Sequence, residues 1–122
     1  MMIASEKPIG RSPSNLPLQH LVDASDGSTQ LYLGQQWLEP GDRVLDHTHP
    51  CEEILHFLSG EATVRLGDER FAATGGDSVH IPIGVLHGFT NTGQNELRLL
   101  VIFPAPEFAP TAISSANSNT TT

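Results

Sequence analysis

The sequence predicts an all-β fold, a single closed barrel or jelly roll, and three observations carry that reading. Short segments rich in branched and aromatic residues follow one another through the middle of the chain. Turn signals built on Gly, Pro and Asp separate them. No stretch of ten or more residues keeps a 3.6-residue apolar period free of Gly or Pro, so helix should be minor. At 122 residues the chain has room for one hydrophobic core. Evenly spaced short strands in one compact domain close into a barrel, which removes or protects sheet edges.

Residues 1–30 carry Pro8, Pro13 and Pro17 among scattered Ser and Asp, with no sustained pattern, and read as an extended N-terminal arm that can pack on a neighbouring subunit. The barrel is expected over 31–104. Its strands are Leu31 to Leu38, Arg43 to His47, Glu53 to Leu58, Glu61 to Leu66, Arg70 to Ala73, Ser78 to Ile81, Leu86 to Thr90 and Leu97 to Phe103. The turns between them fall at Pro40-Gly41, Pro50-Cys51-Glu52, Ser59-Gly60, Gly67-Asp68, Gly75-Gly76, Ile83-Gly84 and Thr92-Gly93. Residues 105–122 end in a run of Thr, Ser, Asn and Ala and read as a disordered tail.

Fourteen acidic residues against six basic ones give a formal charge of -8, and Lys7 is the only lysine. Such a surface has no basic patch to neutralise phosphates, so nucleic acid is not expected as a partner. No apolar run approaches the roughly 20 residues of a spanning helix, and no membrane partner is expected. Met1 to Gly10 lacks the basic end and apolar stretch of a secretory signal, so the expected location is cytoplasmic. Cys51 is the only cysteine, which rules out an internal disulfide and a thiolate-rich zinc site. A metal site in this chain must use mainly His and carboxylate.

The sequence has the residues for one. His47 and His49 are two apart, a spacing that sends both imidazoles to one face of a strand. Pro50 then bends the chain, so the Glu53 carboxylate can return toward the same point. His87, beyond a second Gly/Pro turn, supplies a third nitrogen. Spacing alone leaves open a pair of histidines on a solvent-facing strand. Three imidazoles and a carboxylate make a mixed set that suits Fe, Mn, Ni, Co, Cu or Zn.

The wider spacing resolves this. Gly41, five residues, His47-x-His49, three residues, Glu53, six residues and Gly60 form one pattern; Gly76, five residues, Pro82-x-Gly84, two residues, His87, three residues and Asn91 form another. At all ten positions the chain resembles the two motifs of the cupin superfamily, and specifically its smaller bacterial members. The resemblance implies a jelly-roll barrel of six to eight strands, usually a homodimer, with one divalent metal per chain on His47, His49, Glu53 and His87. Gly60, Gly76, Gly84 and Pro82 then serve the turns.

Counting by twos from His47 places Leu45 and Arg43 on the metal-facing side; from Glu53 it places Leu55 and Phe57, and Phe89 shares a face with His87. These five residues are the expected lining of a substrate pocket. Arg43 could pair with a substrate anion, or with Asp42 or Asp68 at the surface. His56 should face outward, Glu52 should be a solvated carboxylate, Cys51 should pack, and His80 is not oriented by the pattern. The expected function is a small-molecule metalloenzyme with dioxygenase-type chemistry, Glu53 doubling as proton acceptor. The alternatives are a non-redox isomerase, lyase or decarboxylase, or a ligand-binding barrel without chemistry.

Overall fold

The computed structural model describes residues 6–119, and it is a two-sheet jelly roll. Eleven strands are present: β1 (Ile9–Arg11), β2 (Pro17–Val22), β3 (Tyr32–Leu38), β4 (Arg43–Thr48), β5 (Glu53–Ser59), β6 (Glu61–Leu66), β7 (Glu69–Thr74), β8 (Ser78–Ile81), β9 (His87–Asn91), β10 (Leu97–Phe103) and β11 (Ala112–Ile113). One sheet has the order β1-β2-β3-β10-β5-β8 and the other β11-β4-β9-β6-β7. All pairings are antiparallel. The eight expected strands correspond to β3 through β10. Helix is limited to short 3-10 turns at Ala24–Asp26 and Ser115–Asn119, and no helix among the described residues is long and apolar enough to cross a membrane.

The strands form where apolar side chains alternate. In β10, Leu97, Leu99, Val101 and Phe103 are fully buried, while Arg98 between them is exposed. Leu55 and Phe57 of β5 and Val64 of β6 meet them between the sheets, with Tyr32 and Leu38 at the two ends of β3. Gly60 makes the tight turn from β5 to β6 at φ 91°, and a Cβ there would lie 2.8 Å from the Glu96 carbonyl oxygen.

Both flanking segments pack on the barrel. Within the expected extended arm over 1–30, β1 and β2 form a hairpin that extends the larger sheet beside β3. The three prolines that suggested irregular chain sit where strands tolerate them. Pro8 precedes β1, Pro13 lies in the turn and Pro17 opens β2. Asn15, at φ 60°, closes that turn. In place of a disordered tail over 105–122, β11 pairs with β4 opposite His47 and Thr48, and Asn117 is buried. The Asn117 amide accepts from Arg43 Nη2 (2.7 Å) and the Asp46 N–H, and donates to the Asp46 carbonyl (2.8 Å). These partners lie 71 or more positions away, so composition alone does not reveal them. The parts of the two expectations covering 1–5 and 120–122 lie outside the described residues.

Candidate metal centre

Two strands and one strand entrance converge on the same point inside the barrel. His47 of β4 is the Cα partner of His87 of β9. His49 follows β4, and Glu53 opens β5 after the Pro50 turn. One donor atom from each of these four residues lies within 4.8 Å of all the others, and the four side chains are buried.

The outer nitrogens decide what the inner ones can do. His47 Nδ1 donates to the Leu45 carbonyl, His49 Nδ1 to Pro110 (2.9 Å) and His87 Nδ1 to Val85 (2.9 Å). A carbonyl only accepts, so each Nδ1 carries the proton and each Nε2 of a neutral ring is a bare lone pair. Those lone pairs face one another. His47 Nε2 lies 3.0 Å from His49 Nε2, and His87 Nε2 lies 2.8 Å from a Glu53 carboxylate oxygen. Acceptors held this close with no proton between them repel unless a positive centre is shared among them.

For His47 and His49, protonation is the costlier way to supply that centre. Burial, aided by the His87 and His49 imidazoles and opposed by the Leu45 carbonyl, holds His47 down to about 4. Burial likewise lowers His49. Neutral imidazoles with anchored outer nitrogens are the form in which His binds metal. The donor set therefore fits one divalent cation.

A β-bulge corrects two of the expected pocket residues. Between the pairs Val44 with Phe89 and His47 with His87, β4 spends three residues where β9 spends two. Counting by twos fails across the extra residue. Val44 turns inward to line the cavity beside the metal donors, while Leu45 and Arg43 do not line it. Arg43 bonds Asn117, and together with Asp46, Arg65 and Arg70 it lines a separate groove. The bulge is braced from several directions. Arg65 reaches the Asp46 carboxylate at 2.9 Å, the Leu45 N–H donates to Ser14 Oγ, and the Ser114 N–H donates to the Asp46 carbonyl. Beneath it, Gly88 of β9 approaches so closely that a Cβ would lie 2.8 Å from the Val44 carbonyl oxygen.

Of the other expected lining residues, Leu55 and Phe89 face the cavity. Phe57 stands behind it, packed edge-on against Phe89 with ring centroids 5.7 Å apart. His56 faces outward and bonds the Ser78 hydroxyl. His80 also faces outward, where its Nε2 pairs with the exposed Glu52 carboxylate at 2.7 Å. Cys51 packs against the core, and burial pushes its thiol up.

The cavity holds residues that the sequence reading did not select. Gln36, Val44, Val101 and Phe108 line it, and the Ser12–Ser14 turn and Thr111 close it. About 20 Å³ of free space remains, roughly the room of one or two waters. Alternation back from the buried Leu38 points Gln36 inward, a signal available in the sequence. Phe108 belongs to an aromatic cluster with Tyr32, Phe103, His20 and His49, whose ring packs edge-on against Phe103. Nothing local in the sequence announces that cluster.

Comparison with known proteins follows the same lines. The family described as "Cupin domain" matches residues 35–103. A protein named polyketide synthase CurC, from Streptomyces cyaneus, is 32% identical over 91 residues, covering 74% of this chain and 58% of that one. Auxin-binding protein 1 of Arabidopsis thaliana is 30% identical over 119 residues, covering 81% and 60%. The chain thus spans about three-fifths of the length of these curated relatives. The structure of the polyketide cyclase RemF from Streptomyces resistomycificus has the same fold, with a TM-score of 0.79 at 23% identity over 96% of this chain and 87% of that one.

Proposed function

The chain belongs to the cupin family, and on that premise we propose that it is a metalloenzyme acting on a small oxygenated organic molecule. The observation that carries the proposal is the set of unshared lone pairs on His47, His49, Glu53 and His87, turned on one buried point beside an apolar cavity. A bound Fe, Mn, Ni, Co, Cu or Zn would supply a Lewis-acidic or redox-active centre with positions open to an organic oxygen and to dioxygen.

The protein's own residues supply the rest. The anchored imidazoles keep the donor set rigid. Val44, Leu55, Phe89, Val101 and Phe108 give the cavity the apolar walls against which a carbon skeleton would pack. Among the described residues Glu53 is the only carboxylate lining the cavity, which supports it as the group that takes a proton from an acidic substrate.

Dioxygenase-type chemistry is the first reading, supported by a mainly imidazole donor set in an apolar chamber. A second reading, non-redox catalysis such as ring closure, is favoured by the printed names of the polyketide synthase and cyclase relatives. Untagged protein purified without added metals should contain about one transition metal per chain by elemental mass spectrometry, and His47→Ala and His87→Ala should each lose it. Fe, Mn, Ni or Cu with oxygen-dependent turnover selects the first reading, and Zn with oxygen-independent turnover selects the second. Wild-type protein that stays metal-free after anaerobic reconstitution with each ion would sink both.

We also infer a homodimer formed through the outer face of the larger sheet. There Leu33, Ile102 and Ile54 stand in one cross-strand row, with Ile54 39% exposed. Sedimentation of Ile54→Lys as a monomer beside a dimeric wild type would support this; a monomeric wild type would refute it.

A further inference from the structure

Apart from the four metal donors, each polar side chain lining the metal cavity has a protein partner among the described residues, with one exception. Ser12 Oγ accepts from the Leu16 N–H, Ser14 Oγ accepts from the Leu45 N–H, and the Thr111 hydroxyl donates to the Ala109 carbonyl. The His47 and His87 Nδ1 atoms are engaged with carbonyls, and their Nε2 atoms and the Glu53 carboxylate are the metal donors. Gln36, on β3, is only 4% exposed, yet its side-chain amide makes no hydrogen bond among the described residues. No fully sealed side-chain nitrogen or oxygen in the described structure lacks a partner. The Gln36 amide must therefore open onto the cavity space. Burying an unpaired amide is unfavourable unless a ligand or an ordered water completes it.

We propose that Gln36 is a substrate-binding residue that recognises a neutral oxygen, a carbonyl or hydroxyl, on a small organic anion whose charged oxygen is held at the metal centre. This rests on the metal-centre reading and deepens it. Three neutral imidazoles, one carboxylate and a divalent cation carry a net charge of about +1, which an anionic oxygen donor neutralises in a buried site. Among the described residues no Lys or Arg lines the cavity, because the bulge turns Arg43 away. A second ligand charge would have no counter-ion, so the second polar group must be neutral. An amide suits both carbonyls and hydroxyls because it donates and accepts. With about 20 Å³ free, such a ligand enters only if the Ser12–Ser14 turn or Phe108 shifts.

The test uses cobalt-loaded protein, whose visible spectrum reports ligation, and two matched pairs of carboxylates: 4-oxopentanoate with pentanoate, and 3-hydroxybutanoate with butanoate. In wild type at least one oxygenated member should bind roughly 5- to 10-fold tighter than its plain partner, the worth of one neutral hydrogen bond. In Gln36→Leu that preference should vanish, with the affinity for the plain acids and the cobalt content unchanged. The melting temperature should hold or rise, since an unpaired amide is removed. A preference that survives in Gln36→Leu, no preference in wild type, or a clear fall in melting temperature would overturn the assignment of Gln36. Failure of wild type to take up cobalt would overturn the metal-centre reading itself.

Discussion

Replacing Gly88 by alanine should weaken the metal centre without touching a ligand. The added carbon would meet the Asp46 carboxylate oxygen, the Val44 carbonyl oxygen at 2.8 Å and the Asp46 nitrogen at 3.1 Å. The carboxylate can swing away, but the other two atoms are backbone. Ordinary contact begins at 3.4 Å, so the bulge must retreat by roughly 0.6 Å, and β9 cannot yield because β6 holds its other edge. Overpacking of this kind costs about 2 kcal/mol, within a range of ~1–3. For a domain of this size that is a fall of about 8 °C in the melting temperature. The moving segment carries Leu45, whose carbonyl fixes the His47 ring. Disturbing such an outer partner lowers metal affinity by about 10- to 100-fold. Thermal unfolding of the metal-free protein and chelator competition on the loaded protein read the two effects. Gly10→Ala is the control, since its Cβ would find only the Leu18 carbonyl oxygen at 3.9 Å, and it should stay within about 0.5 kcal/mol of wild type. A Gly88→Ala protein with the stability and affinity of the control would show that the bulge does not rest on Gly88.

Other substitutions and conditions test other parts of the structure. Asn91 is 1% exposed, donates to the Leu38 and Asn95 carbonyls at 2.9 Å each, and accepts from the Gly93 N–H at 3.0 Å. Losing these bonds in Asn91→Ala should cost about 3 kcal/mol in urea unfolding, and a loss below about 1 kcal/mol would refute this role. The metal-free protein should also be acid-sensitive. With His47 held to about 4 when folded and near 6.5 when unfolded, the unfolded chain takes up a proton that the folded one refuses between those values. Stability is then complete above pH 6.5 and falls as the pH drops toward 4, by up to about 3 kcal/mol. Urea midpoints that stay level across this window would contradict the burial argument.

The four donors were legible because they stand at motif positions that resemble those of the cupin superfamily; two histidines two apart on a strand, taken alone, left a solvent-facing pair open. The pocket around them was legible only where the strands are regular. On β5 and β9, alternation selected Leu55 and Phe89, which face the cavity, and Phe57, which stands behind it. On β4 it selected Leu45 and Arg43, because no Gly or Pro in β4 marks the bulge and the residue that makes room for it, Gly88, lies on another strand. Gln36 was within reach of the same alternation, but a polar residue in a strand reads as outward-facing until its neighbours are known to be core. Phe108 and Asn117 lay out of reach, since their roles depend on partners distant in the chain.

The C-terminal contacts bear on the order in which the protein can assemble. All four donor residues are synthesised by His87, yet β10, the strand that joins β3 to β5 in the larger sheet, begins ten residues later. The carbonyl that sets the His49 ring belongs to Pro110, and the amide that ties down Asp46 belongs to Asn117. A nascent chain ending before Pro110 would hold every ligand but lack the carbonyl that orients the His49 ring and the amide that ties down Asp46. Because these closing contacts are long-range, they should form late and slowly. The fourth donor ring, that of His49, is thus set only when the segment that follows β10 has docked against β4.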